Sequence, residues 1–475
     1  MKYYLGMDIG HTKIKVGLFD KNGNNICFSS AQTPFHSNVI EPAVLWQCAA
    51  LCIKKLIMEN DINKDDIKGI SCAGHGNGLY LIDKGGKVMD EAYTATFDLA
   101  QKYVDTYKSS PRIEELYGYT LQKIWSGQPL MILNYLKNER KDIFDKIGTA
   151  FFCKDFINYC LCGNAFTEYT DAAAGGVMNN CLGEYDERVF EILGVAEAGA
   201  FFPPIRKSTD IVGFVNEEAA RQTGLSVGTA VVAGFFDAAA SFVGAGVYDD
   251  GACGVISGTW GINASVQSQK PQNQKFLQCV NYIDGSKYLY IESAPTSSVN
   301  LEFLLQNVFP HIGYKEADEI VSTFSADAVG LIYRPYIYNA DKGNGAFLNL
   351  THEDNYKTMI RALYEGVAFG HKKQLEALTE SGVSIDKIVF MGGATNSDVW
   401  CQIFADVLAY PLCVPDIKNT GMLGNVMAAV VATSEYADIA EACHALAPRY
   451  QTYLPNTDNI NAYQTKYKKF LTGRV

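Results

Sequence analysis

Apolar and polar positions along this chain follow two periods that replace one another several times. Residues 3–30 read as a three-stranded meander, YYLGMDI, TKIKVGLFD and NNICFSS, with Lys21-Asn22-Gly23-Asn24 at the second turn. Lys13 and Lys15 alternate with Ile14 and Val16, so one face of the second strand is polar and the other packs. Residues 42–60 change to the helical period, and the spacing predicts an apolar face of Val44, Leu45, Cys48, Leu51, Cys52 and Leu56. IKGISCAG then reads as a buried strand ending in a glycine turn, and GLYLID opens another. This alternation of strand and helix is the α/β pattern.

From about 100 to 200 the chain is more helical, with no break in composition. The strand GTAVVAG leads into FFDAAASFVGAG, read as strand, turn and helix. A second strand-first region follows: ISGTWGINASV, YLYIES, a helix near 297–308, LIYRPY, a long helix at 355–380, KIVFMGG, and a helix at 397–409. The glycine-turn hairpin of residues 3–20 thus recurs in weaker form at 252–266. The boundary is placed near residue 246, dividing the chain into domains 1–246 and 247–475.

Composition narrows the class. With 48% hydrophobic and 19% charged residues the chain reads as an ordinary globular protein. No apolar run approaches the roughly 18 residues of a membrane helix, and the first residues enter a strand without a leader pattern, so a cytoplasmic protein and no membrane partner are expected. The 13 cysteines are scattered through apolar stretches such as LWQCAALCIKKL, without metal spacing. A net charge of −12 with no basic stripe argues against nucleic acid. An anionic ligand would have to be held by backbone N–H groups and a metal.

Four segments carry candidate chemistry. Asp8-Ile9-Gly10-His11-Thr12-Lys13 sets a carboxylate at a strand end before a turn of N–H groups and a Thr hydroxyl, suited to a metal beside a phosphate, or simply to a tight hairpin. Ser257-Gly258-Thr259-Trp260 offers a second such turn, where Gly258 allows close approach and Thr259 can donate; a hairpin with an exposed aromatic is the plain alternative. Asp237, in GFFDAAA, falls in the first turn of a helix among small residues, as an N-cap or as a proton acceptor for a substrate hydroxyl. Met391-Gly392-Gly393-Ala394-Thr395-Asn396 links a strand to a helix, with room for a flat ring on glycine backbone and Asn396 as cap or base contact. It is no GxGxxG, which disfavours a dinucleotide fold.

In this order and spacing the segments resemble the FGGY carbohydrate kinases, of the actin, Hsp70 and sugar-kinase superfamily. DIGHTKIK, LCGNAFTEYTDAAAGG, GFFDAAASFVGAG, SGTWGIN, ALYEGVAF and MGGATNSDVWCQIFADVLAYPL carry the likeness over nearly the whole chain. The resemblance implies two actin-like, ribonuclease H-like α/β domains around a cleft: 1–246 binding sugar, 247–475 binding nucleotide. It implies ATP and Mg²⁺, with Asp237 as catalytic base and Asp8 organising the metal through water. Thr12, Lys13, Gly258 and Thr259 then match phosphate contacts, and Gly392, Gly393, Ala394 and Asn396 the adenine side. Asn300, opening NLEFLLQ, matches a nucleotide contact.

The sugar side departs from the family pattern. Where many members carry WxDxR this chain reads Thr96-Phe97-Asp98-Leu99-Ala100, keeping only the aspartate. Gly74-His75-Gly76-Asn77-Gly78 stands where xylulokinases have GQMHG, so His75, Asn77, Asp98 and Trp260 join Asp237 as substrate candidates. GHGNGLYL with SGTWGIN resembles the L-xylulose and 3-keto-L-gulonate kinase branch, implying phosphorylation of a terminal hydroxyl on a ketopentose, a keto sugar acid or a short polyol. A glycerol- or erythritol-type kinase and a non-catalytic ATP-binding module are the competing readings. A homodimer is compatible with the family, although no exposed apolar stripe is expected to mark an interface.

Overall fold

The computed structural model describes residues 1–35, 37–271, 276–283, 285–338 and 344–472. Its two central sheets repeat one plan. In the first, Tyr3–Ile9, Lys13–Asp20 and Asn25–Gln32 form an antiparallel meander, and Ile67–Gly74 then Ala230–Phe236 add in parallel on the far side of the first strand. In the second, Ala252–Ser257, Gly261–Gln267 and Lys287–Ala294 form the meander, and Lys387–Met391 then Leu412–Pro415 add in parallel. Each core therefore has its own meander at one end and its parallel pair at the other. Antiparallel edges complete them: Ile211–Phe214 in the six-stranded first sheet, Gln278–Tyr282 and Tyr450–Tyr453 in the seven-stranded second.

The interior strands are apolar because layers cover both faces. Tyr3–Ile9, flanked on both edges, buries Tyr4, Leu5, Met7 and Ile9 completely, and every residue of Ala230–Phe236 is buried. Pro42–Glu59 forms the expected helix, with Pro42 in its first turn. Its inner face is turned from the expected one. Leu45, Ala49, Cys52, Ile53, Leu56 and Ile57 are buried, whereas Val44 and Leu51 are exposed and align with exposed Met58 at intervals of seven. Ala49 and Ala50 are both buried.

The two halves are joined by backbone contact between helices. Thr420–Ala432, contributed by the C-terminal half, packs on the first sheet and crosses Asp237–Gly244. A Cβ on Gly244 would lie 1.9 Å from the Thr420 carbonyl oxygen, and one on Gly424 2.1 Å from that of Ala240. Gly6 makes a third such approach, to Met422. Beside the crossing, buried Asn425 donates from Nδ2 to the Met7 carbonyl at 3.0 Å and accepts from the Ser71 hydroxyl at 3.3 Å. Thr420–Ala432 is apolar on every side, as suits a helix enclosed by both cores.

A methyl group at either crossing glycine has nowhere to go but against backbone. Gly424→Ala is expected to cost about 2 kcal/mol or more through overpacking. A fall of several degrees in Tm, followed by circular dichroism, checks it; an unchanged Tm would mean that the helices can separate freely.

Candidate active site

Three neighbouring strands of the first sheet end at the same edge, and each hands over a candidate group. Ile9 pairs with Gly74, and Gly74 with Phe236, so the turn after Asp8, the loop at His75 and the helix opening at Asp237 lie side by side. The His75 N–H donates to the Ile9 carbonyl at 2.9 Å and fastens the loop to the turn. The turn itself is closed by Gly10 N–H donating to the Lys13 carbonyl at 3.0 Å, which leaves Thr12 and Lys13 exposed. Thr33 braces it, donating from its backbone N–H to Thr12 and from its hydroxyl to the Gly10 carbonyl.

Asp237 begins its helix with Oδ1 accepting the Ala238 N–H at 2.7 Å. Burial raises its pKa to about 7; the nearby charge of Asp8 adds to the rise, and the Ala238 bond opposes it. Lys15, in register with Asp8 across the hairpin, brings Nζ to 3.4 Å from Asp8 Oδ2. Lys15, and not Lys13, is therefore the basic partner of this carboxylate, because the hairpin register sets Lys15 directly across from Asp8 and Lys13 two residues nearer the turn. Gly421 lies against Asp8, where a Cβ would be 3.6 Å from Oδ2. Adjacent Thr420 reaches Met391 of the second sheet at 3.7 Å, so the strand ends of both cores meet here.

The loop at 74–78 is shaped by close approaches. Gly78 has φ of +74° and a Cβ there would sit 2.4 Å from the Tyr93 carbonyl oxygen. Asn77 also takes a positive φ, of 61°. His75 Nε2 bonds to the Tyr80 hydroxyl at 2.9 Å, while its Nδ1 and the Asn77 Oδ1 are buried without a hydrogen-bond partner among the described residues. Such orphaned atoms are what a ligand's hydroxyls would satisfy. Burial, with His11 nearby, lowers the His75 pKa to about 3, keeping the ring neutral. His11, given no role from sequence, lies 4.8 Å from His75 between ring centroids, and Phe35 touches both. Asp98 is exposed on the following loop, just beyond the Leu79–Tyr93 bridge.

Behind Asp237 lies a buried ionic cluster that sequence reading passed over. Lys154 Nζ stands 2.6 Å from Asp155, 3.0 Å from Asp171 and 3.6 Å from Glu168, all excluded from solvent. Thr170 donates to Glu168 at 2.7 Å and accepts the Phe236 N–H at 2.9 Å, which anchors the strand end next to the catalytic candidate. The residues lie within or just ahead of FTEYTDAAAGG, where a lysine, three carboxylates and a run of small residues in one apolar stretch were the available signal.

In the second core, the Gly258-Thr259-Trp260 turn is closed by Gly258 N–H donating to the Trp260 carbonyl at 3.2 Å, with Thr259 and Trp260 exposed. Gly392, at φ +98°, abuts Ser257, where a Cβ would lie 2.4 Å from the carbonyl oxygen. Beside the turn opens a cavity of about 530 Å³ lined by Gly258, Thr259, Gly393 and Asn396 of the expected residues. Leu301, Tyr364, Trp400 and Asp318 line it as well. Trp400 and Tyr364 are stacked at 4.3 Å, and the Asp318 carboxylate accepts from the Ser397 and Tyr364 hydroxyls. Two residues expected at this ligand surface point elsewhere. Ala394 is fully buried in the core, and buried Asn300 is spent on Thr296, Ser297 and Tyr333, leaving its neighbours Val299 and Leu301 at the wall. Asn396 Oδ1 accepts from Lys418 at 2.9 Å.

Two turns carrying exposed hydroxyl donors, a basic carboxylate beside the first and a cavity wide enough for a heterocycle beside the second form a constellation suited to phosphoryl transfer. Comparison with known proteins settles the family. The N-terminal domain model of the FGGY family of carbohydrate kinases matches residues 3–244, and the C-terminal domain model matches 255–433. The chain belongs to the FGGY family of carbohydrate kinases. It is a sugar kinase, and kinases of this family use ATP as phosphate donor. A probable L-xylulose kinase of Pasteurella multocida is 30% identical, covering 99% of this chain and 98% of its own. The L-xylulose/3-keto-L-gulonate kinase of Escherichia coli is 29% identical over 99% of this chain and 96% of its own. Among solved structures, a ligand-bound xylulose kinase from Lactobacillus acidophilus superposes with a TM-score of 0.91 at 22% identity, covering 100% of this chain and 98% of that one. The shared fold is the two-domain actin-like one.

The raised pKa of Asp237 has a thermodynamic sign. Its folded value of about 7 lies above the ordinary carboxylate value, so the protonated group stabilises the fold at low pH and that contribution is lost as pH rises toward and through about 7. Asp237→Asn, which cannot ionise, should therefore raise Tm at pH about 8, with the gain shrinking toward pH about 5. Thermal denaturation at the two pH values, without divalent cations, checks this; an equal shift at both would refute the raised pKa.

Proposed function

We propose that this kinase phosphorylates a terminal hydroxyl of a short keto sugar, a ketopentose such as L-xylulose or D-xylulose or a keto sugar acid, with ATP and Mg²⁺ in the cytoplasm. The observation that carries the reading is Asp237: a carboxylate made basic by burial and by Asp8, opening a helix beside a glycine loop with unsatisfied polar atoms. The names borne by the relatives in Pasteurella multocida and Escherichia coli support the keto-sugar class. Thirteen free cysteines suit a reducing compartment.

In this reading residues 1–246 hold the sugar and 247–475 the nucleotide. Asp237, ionised, accepts the proton of the attacking hydroxyl and keeps its oxygen in line with the γ-phosphate. His75 Nδ1 and Asn77 Oδ1 bond hydroxyls nearer the carbonyl end, with Asp98 and Trp260 at the rim. Thr12, Lys13, Gly258 and Thr259 offer donors to the phosphates, and Gly392, Gly393 and Asn396 carry the base. Among the described residues no group of three or more His, Cys, Asp or Glu could enclose an ion. A site of one carboxylate completed by water and phosphate oxygens is nonetheless what Mg²⁺ commonly takes, and Asp8 fits it. Bound there, Mg²⁺ would neutralise phosphate charge. Lys15 holds the Asp8 carboxylate in place from the neighbouring strand.

A coupled ADP assay over ketoses, keto sugar acids and polyols is expected to show turnover with a ketose or keto acid, and preference for glycerol or erythritol would transfer the assignment to a polyol kinase. Asp237→Asn should lower kcat by about 10²- to 10⁴-fold with ADP affinity nearly unchanged. Wild-type turnover in that variant would remove Asp237 from the role of base.

A further inference from the structure

Directly behind the second phosphate turn runs a line of five polar side chains that the reaction as described does not use. Ser257, the last residue before the turn, has its hydroxyl 2.9 Å from that of Ser297. Ser297 Oγ is 2.8 Å from His371 Nε2, His371 Nδ1 is 2.9 Å from Asn263 Oδ1, and the Asn263 amide nitrogen donates to Gln374. Ser257, Ser297, Asn263 and His371 are all buried. His371 comes from the long helix Tyr356–Glu380, Ser257 and Asn263 from the two arms of the hairpin, and Ser297 from the segment leading into Val299–Asn307.

The bonding fixes the direction of every proton. Because the Asn263 nitrogen is given to Gln374, its oxygen must accept, so Nδ1 of His371 carries the hydrogen and Nε2 is an acceptor. Ser297 then donates to Nε2 and accepts from Ser257. A protonated ring would present a donor to Ser297 and reverse that order. Burial pushes the His371 pKa down to about 3, which keeps the ring neutral. The hairpin makes room for this histidine: a Cβ on Gly261 would lie 3.1 Å from His371 Cε1 and 3.2 Å from Nε2. Gly261 has no left-handed backbone to require glycine, so space for the imidazole is its evident reason.

We propose that His371 is a positioning residue for phosphate binding: through Ser297 it holds Ser257, and with it the backbone from which Gly258 and Thr259 turn toward the nucleotide. Ser298 completes the hold from the other side, donating to the Ser257 and Gly258 carbonyls at 3.1 and 2.9 Å. Helix Tyr356–Glu380 thereby sets the height of the second turn against the cleft. The inference rests on the reading of that turn as a phosphate contact.

Calorimetric titration of the full chain with a non-hydrolysable ATP analogue and with AMP tests it. His371→Asn keeps a donor toward Asn263 and loses the acceptor for Ser297. It should weaken the ATP analogue about tenfold, the scale of one buried hydrogen bond, with AMP unchanged. His371→Gln, which restores an acceptor near Nε2, should bind the analogue as the parent does. Ser297→Ala cuts the same line at a smaller side chain and should reproduce the selective loss even where His371→Asn does not fold. Equal weakening of analogue and AMP, or no weakening in either variant, would overturn the proposal. Thr259→Val distinguishes the underlying reading: if it weakens the analogue while His371→Asn and Ser297→Ala do not, the turn binds phosphate and His371 does not position it. If Thr259→Val also has no effect, the phosphate role of the turn itself fails.

Discussion

The contact on which the rest of the structure depends is made by two helices with no side chain between them. Asp237–Gly244 and Thr420–Ala432 touch backbone to backbone at Gly244 and Gly424, and the second helix lies against the first strand at Gly6. Only so close an approach lets one helix deliver Asp237 while the other brings Gly421 against Asp8. Its enclosure also explains the composition of Thr420–Ala432, where the chief polar side chain, Asn425, is spent on Met7 and Ser71. A domain division near residue 246 follows the order of the two sheets, yet this helix crosses it.

The same packing sets the electrostatics. Asp237 is a stronger base than an ordinary aspartate because the fold partly desolvates it and leaves Asp8 nearby. Holding it there is costly, and the surroundings are correspondingly firm. Phe236 is tied to Thr170, Thr170 to Glu168, and Glu168 lies by Lys154, in a cluster where burial raises the Asp171 pKa well above the carboxylate range. On the opposite side of the cleft, firmness comes from neutral groups: the serines, His371 and Asn263 behind Gly258. One half of the site is thus braced by charge and the other by directed neutral hydrogen bonds.

Much of the arrangement was legible in the chain. The hairpins at 3–20 and 252–266, the strand into Asp237 and the strand–helix joint at 391–398 all appear as read, because glycine turns and alternation are local signals. Misreadings occurred where direction, and not element type, was at issue. The face of Pro42–Glu59 turned toward its alanines, and Asn300 and Ala394 faced the core while their neighbours lined the cavity. Thr420–Ala432 was not read as a helix at all, since a segment apolar on every side shows no period.

By itself, the sequence determined the α/β class, the duplicated meander, the family and the small set of turns in which the chemistry could lie, since these rest on residue type and short spacing. Only the tertiary structure decided which carboxylate is basic, which lysine is paired, which polar atoms are left without partners and what stands behind each turn. Most of those properties come from neighbours a hundred or more positions apart: Asp8 with Asp237 and Gly421, Asn425 with Met7, Ser257 through Ser297 with His371. Burial and charge act through space, and their strength falls over a few ångströms, so no local pattern in the chain records them.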